Sequence, residues 1–157
     1  MIGIYHSRDL DGFCSGAIIK TKYPGATMIG YDYGQPFNVC ELIPKGSPVI
    51  MTDVSLPMKT MLQIAEQSDW QFTWIDHHYS AMKDYAVYCI TSGAFLTPVL
   101  NNDISACEGA WQYLHPGCDL PKAIELLGIY DTWRNDDLNL WKETVLPFQF
   151  GMRGRCN

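Results

Sequence analysis

The sequence predicts an α/β fold, a parallel sheet of about five strands with helices on both faces. Two observations predict it. Short apolar runs alternate with longer helix-compatible stretches, and most of those runs end abruptly on acids or histidines. Strands alternating with helices imply βαβ units. The chain has 157 residues, enough for one buried core.

Residues 1–5 are short, apolar and bounded by polar residues, as in a buried strand. His6-Ser7-Arg8-Asp9-Leu10-Asp11-Gly12 follows, then a helix over residues 13–22 that stops at Pro24-Gly25. Residues 26–31 read as the second strand, and residues 34–46, with two prolines, as a connection holding some helix. A third strand spans residues 48–52 and ends on Asp53; Pro57 opens a helix through Gln67. Residues 71–75 form a fourth strand, with Asp76-His77-His78 directly after it. Val87 to Ile90 is taken as the fifth. Helices follow over residues 105–114 and 121–131, the first opened by a capping box of Ser105 and Glu108. The strand–helix pattern runs to about residue 135, and residues 136–157 are an aromatic-rich extension or the start of a linker.

Composition narrows the function. Hydrophobic residues make up 47% and charged residues 18%, the balance of a folded protein. The net charge of −6 disfavours a broad basic surface for polymeric nucleic acid. No run is long enough to span a bilayer and no secretory leader opens the chain, so the expectation is cytoplasmic with no membrane partner. None of the six cysteines forms a C-x-x-C pair; they read as reduced, mostly buried small hydrophobes.

In an open parallel sheet the ligand crevice lies at the carboxyl ends of the strands. His6, Asp9 and Asp11, then Asp53, then Asp76, His77 and His78 follow three different strands, and Asp131 closes an apolar helix. One acid after a strand is ordinarily a turn former or a helix cap; repetition after three strands points to a site. Carboxylates gathered there raise one another's pKa, and a cation removes that cost. An oxygen-rich set with imidazoles and no thiolate suits Mn²⁺ or Mg²⁺. A carboxylate shared by two ions about 3.5–4 Å apart makes a two-metal site for in-line attack on phosphorus. His115, beside Pro116 and Gly117, reads as a turn residue.

The run His6 to Gly16, followed by Asp53, Asp76-His77-His78 and Asp131, resembles the DHH phosphoesterase superfamily over roughly residues 1–135. That superfamily includes RecJ-type exonucleases, nanoRNases, cyclic-dinucleotide phosphodiesterases and manganese pyrophosphatases. The resemblance implies two Mn²⁺ ions, or Mg²⁺. His6 and Asp9 would hold the first, Asp11 with His77 and Asp131 the second, and Asp53 would bridge them. His78 would touch the scissile phosphate, Asp76 would orient a histidine, and Gly12 would allow a tight turn into the next helix. The implied reaction is hydrolysis of a phosphodiester in a small nucleotide, a short oligonucleotide or cyclic (di)nucleotide, by a metal-bridging hydroxide. Pyrophosphatase or exopolyphosphatase activity, or nucleotide binding without useful turnover, are the alternatives. Such proteins usually continue into a C-terminal substrate-binding domain that this sequence does not show; a minimal catalytic domain, a fragment of a longer protein, and a homo-oligomer or partner that supplies the missing half are the alternatives.

Arg8 and Arg134 are candidate contacts to a substrate phosphate, with ion pairing to nearby acids as the alternative. Arg153 and Arg155 fall in what reads as a disordered tail. Trp133 and Trp141 read as packing residues, with base stacking as the alternative.

Overall fold

The computed structural model describes residues 1–93, 96 and 98–154. Five strands, β1 (Ile2–His6), β2 (Thr27–Tyr31), β3 (Val49–Thr52), β4 (Phe72–Asp76) and β5 (Pro98–Leu100), form one sheet in the order β2-β1-β3-β4-β5. Every neighbouring pair is parallel. The fold is α/β, as the sequence predicts.

Helices cover both faces. Met61, Ile64 and Ala65 of α3 (Met58–Gln67) and Val39 of α2 (Val39–Leu42) pack on Ile4, Met51 and Trp74. On the other face Ile18 and Ile19 of α1 (Leu10–Lys22), Cys107 and Ala110 of α5 (Ala106–Leu114) and Leu127 of α6 (Lys122–Asp131) meet Ile50 and Ile75. Central β3 is buried along its whole length because both of its faces are covered. Edge strands β2 and β5 are only partly buried.

The fifth strand is not where the sequence put it. Val87 to Ile90 lie inside α4 (Tyr79–Ser92), which Gly93 ends in the left-handed conformation at φ 68°. Val-Tyr-Cys-Ile has strand-like side chains, but four residues are too few to separate a period of 2 from one of 3.6. The true fifth strand begins with Pro98, a position that can forgo an N–H at a strand start.

Residues 138–153 are helical rather than a disordered tail. The helix α7 (Leu138–Leu140) runs through a π-helical turn (Trp141–Val145) into α8 (Leu146–Arg153). The i→i+5 bond from Leu146 N–H to the Trp141 carbonyl precedes Pro147, which has no N–H to donate. Trp141 and Val145 bury against Leu126 and Ile129 of α6. Arg153 sits in α8 with its guanidinium 5.4 Å over the Tyr130 ring; Arg155 lies outside the described residues.

The cysteines are less buried than expected. Cys107 is buried, Cys14 and Cys89 are intermediate, and Cys40 and Cys118 are exposed. Cys40 lies on α2 beside Val39, which takes the core side, and Cys118 on the α5–α6 connection; Cys156 lies outside the described residues. No helix among the described residues is long and apolar enough to cross a membrane.

Candidate metal centre

The strand ends bring the predicted residues together. Asp9 caps α1, its Oδ1 accepting from Gly12 N–H at 2.8 Å, which leaves Oδ2 2.7 Å from His6 Nδ1 at the end of β1. Gly12 is needed for close approach rather than for an unusual turn. A Cβ there would lie 2.0 Å from the His6 carbonyl oxygen, so α1 can begin against β1 only without a side chain.

Asp11 is almost fully buried and accepts two N–H groups from the first turn of α5, Ala106 to Oδ2 at 2.8 Å and Cys107 to Oδ1 at 2.9 Å. Burial, and then the charges of Asp53 and Asp131, push its pKa up to about 7.

Asp53 follows β3 with φ 57°, a left-handed conformation that Asp tolerates better than most residues. It is 1% exposed and sits in the middle of the cluster. Its Oδ2 is 3.6 Å from His6 Nδ1, and its Oδ1 is 3.4 Å from His77 Nε2 and 4.0 Å from His78 Nδ1. Burial opposes its charge, but the three imidazoles outweigh that and hold its pKa below the usual carboxylate value.

Asp131, at the end of α6, lies 3.2 Å from His77 Nε2, which is itself 3.8 Å from Asp11 Oδ2. Burial, with the Asp53 and Asp9 charges, lifts Asp131 to about 6 against the opposing pull of His77. His6 is raised to about 9, first by its contact with Asp53. His77 is also raised to about 9, because Asp53, Asp11 and Asp131 outweigh its burial.

Asp76 is built differently. Its Oδ1 accepts the His77 and His78 backbone N–H groups at 2.8 and 3.1 Å and lies 2.7 Å from His78 Nδ1. That contact puts a proton on Nδ1 and leaves His78 Nε2 free. Contact with Asp76 raises the pKa of His78, whose ring is the more exposed of the pair.

Three trios of donor atoms result, the atoms of each within 4.8 Å of one another: His6–Asp9–Asp53 and Asp11–His77–Asp131 share no residue, and Asp53–His77–His78 joins those two through Asp53 and His77. Separations near 3 Å are those of neighbouring ligands on one octahedral ion with 2.0–2.1 Å bonds. Buried Asp53 Oδ2 has no hydrogen-bond partner, and burial of repelling carboxylates is costly without a cation. Six oxygen and nitrogen donors without a thiolate fit Mn²⁺ or Mg²⁺.

The two arginines have partners. Arg8 is exposed, with Nε 3.3 Å from Asp32 Oδ2. Arg134 donates to Thr132 Oγ1 and to the buried Glu108 carboxylate. Glu108 also accepts from Ser105 N–H, completing the capping box of α5. His115 caps the end of α5, stacked on Trp111. Trp141 is core, whereas Trp133 is 66% exposed. Sequence reasoning missed Asp32 and Tyr33, which follow β2; Asp32 Oδ1 is 3.9 Å from His6 Nε2 and the Tyr33 ring 5.4 Å from the His6 ring. The strand-end rule that selected Asp53 selects Asp32 equally.

No family model and no curated protein matches the chain. A solved structure, that of an uncharacterized protein from Helicobacter pylori G27, is similar to it with a TM-score of 0.66 and 17% identity. The match covers 86% of this chain and 44% of that one. Such a likeness bears on the fold alone, and the chain spans less than half the length of that protein.

Proposed function

We propose that the chain is a phosphoesterase that binds two divalent cations, Mn²⁺ or Mg²⁺, and hydrolyses a phosphodiester of a small nucleotide. The placement of Asp53 carries the reading. One carboxylate lies within reach of both of the trios that share no residue, the arrangement that two ions a few ångströms apart require. The resemblance of the strand-end motifs to DHH phosphoesterases supports it.

Bound cations would neutralise the phosphoryl oxygens and acidify a water that serves as nucleophile. The protein's own groups do the rest. Asp76 fixes the His78 ring through Nδ1, so Nε2, when protonated, donates to a phosphoryl oxygen or to the leaving oxygen. The raised pKa of His78 favours that protonated form. Amides of the first turn of α5 hold Asp11 in place and disperse its charge. Arg8 at the rim spends its Nε on Asp32 and has its terminal nitrogens left for a phosphate.

With Mn²⁺ present, the protein releases product from a dinucleotide, and Asp53→Ala reduces this to background while circular dichroism stays that of the parent. Undiminished hydrolysis in Asp53→Ala refutes the two-ion assignment. Faster turnover of pyrophosphate than of the dinucleotide refutes the choice of a diester.

A further inference from the structure

Helix α6 ends in two hydrogen bonds that close its last turn, Trp133 N–H to the Tyr130 carbonyl and Arg134 N–H to the Ile129 carbonyl. This is the Schellman pattern, whose left-handed residue is usually glycine. Here that residue is Trp133, at φ 54°. Its indole stacks on Tyr130 at 5.9 Å between centroids and packs against Trp141 at 5.7 Å, yet remains 66% exposed. Behind it, Tyr130 stacks on Trp141 at 4° between planes and carries the Arg153 guanidinium. The ring is thus braced on one side and open on the other.

Its position gives the open side a use. Trp133 follows Asp131 by two residues, so the two Cα atoms are at most about 7 Å apart, and Asp131 belongs to the second donor trio. Trp70 makes a useful contrast. It is also left-handed, at φ 64°, and 59% exposed, but it precedes β4 at the sheet end opposite the centre.

We propose that Trp133 is the platform on which an aromatic base of the substrate stacks while its phosphate lies at the metal centre. The proposal rests on the phosphoesterase reading for the location of the phosphate. A flat, braced aromatic face accepts any base, because every base has a π-face, and it adds affinity without sequence selectivity. Bases in a short substrate are unpaired and free to stack, whereas pyrophosphate has nothing to place there.

Binding separates this proposal from hydrolysis. With Mn²⁺, titration calorimetry on the full chain uses adenosine 5′-monophosphate and inorganic phosphate as probes. The nucleotide binds more tightly than phosphate in the parent. Trp133→Gly, which suits the left-handed position and keeps the fold, weakens nucleotide binding roughly 5- to 150-fold, the worth of one base stack. Phosphate affinity is unchanged, Trp133→Phe restores most of the loss, and Trp70→Ala alters neither probe. Equal affinities for the two probes in the parent, or a Trp133→Gly nucleotide affinity within twofold of it, overturn the proposal, as does an equal loss for phosphate. Trp133-dependent nucleotide binding without hydrolysis of any diester leaves the platform standing and removes the phosphoesterase reading. Hydrolysis that is indifferent to Trp133→Gly does the reverse.

Discussion

Asp76 shows how much one side chain can decide through its neighbours. It spends one oxygen on two backbone amides and the His78 ring. Asp76→Asn keeps the size but presents a weaker acceptor, so the His78 pKa falls and its ring loses its hold. Dinucleotide turnover drops about 10- to 100-fold, the usual cost of a lost partner behind a metal-site histidine. The basic limb of the pH–rate profile moves to lower pH. A profile that keeps its position assigns Asp76 to folding alone. Gly128 gives a second residue-scale test. A Cβ there would overlap the Glu108 carboxylate, which lies against the α6 backbone at that point. Gly128→Ala therefore expels Glu108 from its place beside Arg134 and costs about 1–3 kcal/mol, as overpacking does, measured by urea denaturation.

At the scale of elements, α5 acts as the clamp of the centre. Ser105 and Glu108 form its capping box, and the amides just inside hold Asp11. Ser105→Ala removes one cap at a cost of about 1 kcal/mol. The same change weakens Mn²⁺ binding, because the first turn that frays is the one that grips Asp11. Unchanged Mn²⁺ affinity in a destabilised Ser105→Ala separates cap from site. Strands are the most legible elements. Residues 1–5, 48–52 and 71–75 are apolar runs closed by site residues, and each matches its strand to within a residue or two. Val87 to Ile90 misleads because side-chain type favours a strand where the flanking residues continue a helix. Residues 138–153 are unreadable because a π-helical turn shifts the phase of the apolar positions that would reveal the period.

For the whole molecule, the metal-free centre stores a pH dependence. Asp11 and Asp131 rise in the folded state from 3.8 to about 7 and about 6, and His6 and His77 rise from 6.5 to about 9. In each case the folded state binds the proton more tightly. The two acids thus favour folding below 3.8 and lose that contribution as pH rises to about 7 and about 6; the histidines favour it below 6.5 and lose it by about 9. Asp53, held below its usual value, acts oppositely, but only at acid pH. Without metal the Tm falls between about pH 5.5 and pH 8, and the gain from added Mn²⁺ is larger at pH 8, where its ligands are deprotonated. A Tm that rises with pH in chelator contradicts this.

The sequence by itself determined the alternation of strands and helices and the candidate site, His6, Asp9, Asp11, Asp53, His77, His78 and Asp131. Both are written locally, in the apolar runs and in the polar residues that close them. Only the tertiary structure decided the neighbours. Asp11 meets Ala106 across 95 residues of chain, Glu108 and Gly128 fit each other, and Arg134 is drawn onto Glu108. Trp133 stands open although its composition reads as core. Such contacts depend on how helices dock on the sheet, and no periodicity within one segment encodes the partner it will meet.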